Sequence, residues 1–85
     1  MKIVEIYTSP FCGYCHAAKR LLKSKSVSFH EVDISGKPQL RSQMMARAKG
    51  SQTVPQILIG DIHIGGCDEL HALENSGRLD SMLAA

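Results

Sequence analysis

The chain has 85 residues, a formal net charge of +2 at pH 7, 44% hydrophobic and 5% aromatic residues, and three cysteines. That length gives room for one domain, residues 1–85, built round one core, and no run approaches the roughly 20 apolar residues of a membrane span. So small a charge argues for neither nucleic acid nor a membrane surface as partner, and an odd cysteine count argues against a secreted disulfide scaffold.

In chain order, Met1-Lys2-Ile3-Val4-Glu5-Ile6-Tyr7 alternates early and carries a glutamate, so it does not read as a signal peptide. The expected compartment is the cytoplasm. Ile3 to Thr8 is a first strand, rich in β-branched residues, broken by Ser9-Pro10. A helix follows, with Cys15, Ala18, Leu21 and Leu22 on one face. Its basic residues Lys19 and Arg20, with Lys23 and Lys25, read as a solvated face, although positive charge near a cysteine also favours thiolate.

Val27 to Ile34 alternates as a second strand, and Ser35-Gly36-Lys37-Pro38 turns into a helix with Pro38 at its first position. Leu40, Met44, Met45 and Ala48 form its inner stripe, and Gly50 ends it. Gln56-Ile57-Leu58-Ile59 is a third strand, joined through the hairpin signal Gly60-Asp61 to a fourth, Ile62-His63-Ile64. Gly65-Gly66 breaks that strand, and Asp68 is the expected N-cap of a helix carrying Leu70 and Leu73, closed by Gly77. Leu79, Met82 and Leu83 suggest a last short helix. The order β-α-β-α-β-β-α implies a mixed four-stranded sheet with helices on both faces, its first two strands parallel and its last two antiparallel.

Cys12-Gly13-Tyr14-Cys15 lies where the first strand gives way to the first helix. Unpaired N–H groups and partial positive charge at a helix start stabilise a thiolate. Such cysteines reach pKa values of roughly 3.5–7.5, against about 8.5 for a free thiol. The spacing brings the second sulfur behind the first, so Cys12 is the expected nucleophile and Cys15, on the apolar face, the resolving thiol. Cys12-Gly13-Tyr14-Cys15-His16 also spells a c-type haem attachment string, which a strand-to-helix setting does not suit. Zinc would need about four ligands. Cys67 and His63 could join the pair, but no second Cys-x-x-Cys exists, and His16, His30, His63 and His71 are scattered.

Three segments in order, Cys12-Gly13-Tyr14-Cys15, Thr53-Val54-Pro55 and Gly65-Gly66-Cys67-Asp68, resemble the glutaredoxin family over nearly the whole chain, closest to the small bacterial dithiol type. The resemblance implies a thioredoxin-like α/β fold and a thiol-disulfide oxidoreductase that uses glutathione, with no metal needed for the redox step. It implies a cis Pro55 and a glutathione site formed by Tyr14, Thr53, Val54, Pro55, Gly66, Cys67 and Asp68. There Val54 pairs with the cysteine part of the ligand as an added strand does. Gly66, Cys67 and Asp68 receive its γ-glutamyl end, the helix start taking the carboxylate and the Asp68 side chain the ammonium. Cys67 reads otherwise as a small, semi-buried residue, and a regulatory thiol is its alternative role.

Two positions depart from the family pattern. Ser9 stands where many glutaredoxins carry a lysine for the glycine carboxylate of glutathione, and Arg41 is the candidate replacement. Gly13 stands where proline is commoner, which raises the family's other role, a [2Fe–2S] cluster held by two protomers and two glutathiones through the first cysteine. The expected partners are glutathione and disulfide-bearing or glutathionylated proteins, ribonucleotide reductase among them, met by a monomer.

Overall fold

The computed structural model describes residues 2–84. Its elements run β1 (Val4–Thr8), α1 (Gly13–Ser24), β2 (Phe29–Asp33), α2 (Pro38–Arg47), β3 (Gln56–Ile59), β4 (Ile62–Gly65), α3 (Cys67–Asn75) and α4 (Leu79–Ala84). The sheet order is β2-β1-β3-β4. β1 pairs parallel with β2 and antiparallel with β3, which pairs antiparallel with β4. A parallel pair needs a crossover, supplied by α1, whereas the last two strands need only the two residues Gly60-Asp61. Gly60 there takes a positive φ of 60°, which costs glycine little.

Strand alternation decides which helix covers which face. Val4 and Ile6 point to one side with Ile57 and Ile59, where Ala18 and Leu22 of α1, Leu70 of α3, and Leu79 and Leu83 of α4 bury them. Tyr7 and Leu58 point to the other side and pack with Ile34, Met44 and Ala48, so α2 alone covers that face. The Tyr7 hydroxyl donates to Gln43 Oε1 at 3.0 Å and accepts from Arg47 at 3.1 Å. Arg47 also pairs with Glu5 at 2.6 Å, tying α2 to β1 and holding the Glu5 carboxyl below its ordinary range.

The expected sheet and helix order is the observed one. Three local details differ. β2 is shorter than Val27 to Ile34: the Val27 N–H is still turned to Leu22 O at 3.3 Å, and the pairing with β1 closes where the Ile34 N–H donates to Thr8 O at 3.0 Å. α2 stops at Arg47, since Lys49 already takes a left-handed φ of 56° ahead of Gly50 at 87°. α3 is capped by Gly66 and not by Asp68, which sits in the first turn: Gly66 adopts the extended backbone of a cap, and Glu69 reaches back to its N–H. No helix among the described residues is long and apolar enough to cross a membrane.

Candidate active site

β1 delivers the chain to the site through Thr8, a buried residue whose hydroxyl donates to Glu31 Oε2 at 2.7 Å. After the turn at residues 10–11, Cys12 takes the N-cap of α1 with extended backbone, φ −120° and ψ 111°. That conformation aims the first free amides of the helix at its own side chain. The Cys15 N–H donates to Cys12 Sγ at 3.2 Å, and the Cys12 thiol faces Val54 O at 3.7 Å. The half-buried Cys12 sulfur therefore sits between a helix start and the loop before β3.

Cys15 is 0% exposed, packed on the inner face of α1. Burial, helped by its hydrogen bond with Cys12, pushes its thiol up to about 12, against the Ser9 backbone and the Lys19 charge. The two cysteines thus differ in surroundings: one sulfur is reachable, and the other is buried, with its thiol favoured over the thiolate. Phe11, fully exposed, and Tyr14, 68% exposed, flank the reachable one. Phe11 carried no periodicity that marked it in the sequence.

Beside this pair runs a groove of about 320 Å³ lined by Tyr14, Thr53, Val54, Pro55, Gly66, Cys67, Asp68 and Glu69. Seven of these eight residues are the ones the family resemblance singles out; Glu69 is the addition. The Val54–Pro55 peptide is cis. Gln56, a buried polar residue at the start of β3, donates to Thr53 O at 2.9 Å and so holds the loop from behind. In the sequence Gln56 is marked only as the first residue of the expected third strand, and Glu69 only by its place after the last motif.

The remaining candidates lie apart. Arg41 donates to Gln52 O at 2.6 Å and borders a separate hollow with Ile34, Lys37 and Pro38, so it braces the loop from outside the groove. Cys67 is largely buried, its sulfur 3.4 Å from His71 Nδ1, and burial followed by the Asp68 carboxylate pushes its thiol up. His63 contacts the Gln56 side chain. Of the basic residues, Lys19 pairs with Glu31 at 2.9 Å and Lys25 bridges Glu74 and Asp80, both at 2.8 Å. Arg20 and Lys23 are exposed, as a solvated face requires.

Comparison with known proteins points the same way. The glutaredoxin family model matches residues 4–64. A glutaredoxin of Pseudomonas aeruginosa is 55% identical over 85 residues, 100% of both chains. Glutaredoxin 3 of Escherichia coli K12 is 54% identical over 83 residues, 98% of this chain and 99% of that one. Among solved structures, a glutaredoxin from Brucella melitensis superposes with a TM-score of 0.85 at 53% identity, covering 98% of this chain and 89% of its own. A buckwheat glutaredoxin–glutathione complex superposes with a TM-score of 0.88 at 26% identity, covering 98% and 77%.

Proposed function

Because the chain belongs to the glutaredoxin family of oxidoreductases, we propose that it reduces protein disulfides and glutathione mixed disulfides at the expense of glutathione. The observation that carries this reading is the groove: it joins Thr53, Val54 and Pro55 to Gly66, Cys67 and Asp68, and Val54 O faces the Cys12 thiol. A tripeptide bearing a thiol in its middle could lie there with its sulfur near Cys12. The buckwheat protein solved with glutathione has the same fold.

In the reaction, the Cys12 thiolate attacks the glutathione sulfur of a mixed disulfide. The S–S bond breaks, the substrate leaves as a thiolate that takes a proton, and Cys12 keeps the glutathionyl group. The Cys15 amide, already directed at Cys12 Sγ, stabilises negative charge there when Cys12 is again the leaving group. A second glutathione thiolate then attacks the bound glutathione sulfur and releases glutathione disulfide. With a protein disulfide, Cys12 forms the mixed disulfide with the protein. Cys15 next gives up its proton, attacks Cys12 Sγ and frees the reduced protein, and two glutathiones reduce the resulting Cys12–Cys15 disulfide.

The test is NADPH consumption with glutathione, glutathione reductase and a glutathionylated peptide. Wild type turns over, Cys12→Ser does not, and Cys15→Ser keeps deglutathionylation but loses protein-disulfide reduction. Turnover in Cys12→Ser overturns the assignment.

A further inference from the structure

Glu69 is the groove residue for which neither the cysteine chemistry nor the family motifs account. It stands in the first turn of α3, and its Oε1 accepts the Gly66 N–H at 2.7 Å. Gly66 caps this helix with extended backbone, φ −96° and ψ −161°, yet has no side chain with which to bind a free amide. Glu69 supplies the half of a capping box that remains open to such a sequence.

The surrounding glycines are shaped to this contact. A Cβ at Gly65, whose φ is 120°, would lie 2.8 Å from Glu69 Oε1 and 2.9 Å from its Cγ. A Cβ at Gly66 would meet Glu69 Oε1 and Pro55 O, each at 3.3 Å. The missing side chains therefore let the carboxylate fold back, and let the cis-proline wall of the groove approach the helix wall.

We propose that Glu69 is a positioning residue of the substrate groove: by taking the Gly66 amide it sets the backbone angle at which the next amides, of Cys67 and Asp68, meet a ligand carboxylate. The inference rests on the glutathione reading above. It differs from a mere stabilising cap because the residue held, Gly66, itself lines the groove. The role requires an acceptor at Oε1 and not a charge, so glutamine serves and alanine does not.

The experiment compares wild type, Glu69→Gln and Glu69→Ala with a glutathionylated peptide, measuring KM and kcat. Glu69→Ala raises KM by about fivefold, the scale of one lost helix cap, with kcat unchanged; Glu69→Gln stays near wild type. The alkylation rate of Cys12 by iodoacetamide is the same in all three, because the helix start of α1 is untouched. Hydrogen exchange at the Gly66 amide speeds up in Glu69→Ala only, a readout independent of glutathione. Unchanged exchange in Glu69→Ala, or a KM in Glu69→Gln as high as in alanine, overturns the inference even if alanine folds poorly. A wild type that exchanges normally at Gly66 but never saturates with the glutathionylated peptide refutes the glutathione reading instead, and the substrate role of Glu69 with it.

Discussion

His63 Nε2 lies 2.7 Å from Gln56 Oε1, and this contact fixes both groups. The Gln56 amide nitrogen faces Thr53 O, which can only accept, so its oxygen faces His63 and the His63 Nε2 carries the proton. A chain of donors thus runs from β4 through β3 to the loop that lines the groove.

Replacing Gln56 with leucine leaves the Thr53 carbonyl and the His63 N–H without this partner. Thr53 is exposed and His63 half-buried, so water can take up both groups, and the expected cost is about 0.5–1.5 kcal/mol, the net worth of an ordinary hydrogen bond, read as a lower urea midpoint. Thr53 also loses its support, so KM for a glutathionylated peptide rises. A variant with wild-type midpoint and KM would show that the relay holds nothing in place.

The raised Cys15 pKa makes alkaline stability diagnostic. The thiol titrates at about 12 in the fold, against an ordinary value of 9.0. Between these values the unfolded chain binds fewer protons than the folded one, so stability falls as pH rises. The contribution is whole below the ordinary value and lost on passing the folded one, at no more than about 1.4 kcal/mol per pH unit. Urea unfolding of the reduced protein through this window is expected to show the decline, less steeply in Cys15→Ser. The Cys67 thiol, also raised, contributes in the same direction.

Lys19 lies one helical turn beyond Cys15, held by Glu31 at 2.9 Å, with Asp33 also within its field. Its charge is among the influences that lower the Cys15 pKa. Lys19→Met is expected to slow protein-disulfide reduction on the order of threefold, the scale of a partly screened charge, and to move its pH profile upward. Deglutathionylation by Cys15→Ser is insensitive to the same change. An equal loss in both assays would mean that Lys19 acts through the fold.

Gly65→Ala meets two obstacles, a φ of 120° and the Glu69 carboxylate at 2.8 Å. Strain of this kind costs about 1–3 kcal/mol, and a lowered melting temperature measures it. Gly13→Ala is the control, because a Cβ there meets nothing within 4 Å and Gly13 is not among the glycines of positive φ.

The site is unevenly legible in the sequence. Tyr14 to Asp68 could be gathered because three short motifs, each with its own chemistry, occur in one order. Arg41, by its place in α2, is the sequence candidate for the glycine carboxylate of the ligand, and its guanidinium donates to Gln52 O, a contact no local pattern encodes. Asp68 has the residue type of an N-cap, but the cap is Gly66, whose extended backbone opens the helix. Glu69 and Phe11 carry no signal of their own, because a carboxylate or a phenyl ring next to a motif looks like any other, and Gln56 reads only as the first residue of a strand.

What the sequence determined by itself is whatever depends on near neighbours along the chain. Periodicities of two and of about 3.6 set the strands, helices and buried faces, and the Cys12–Cys15 spacing put one thiol at a helix start and the other a turn deeper. Tertiary structure alone decided the contacts between distant residues: Cys12 against Val54, Gln56 between His63 and Thr53, and Pro55 O against the Gly66 backbone. Each of these depends on how two sheet faces and three loops pack, and no local preference encodes a distance across the fold.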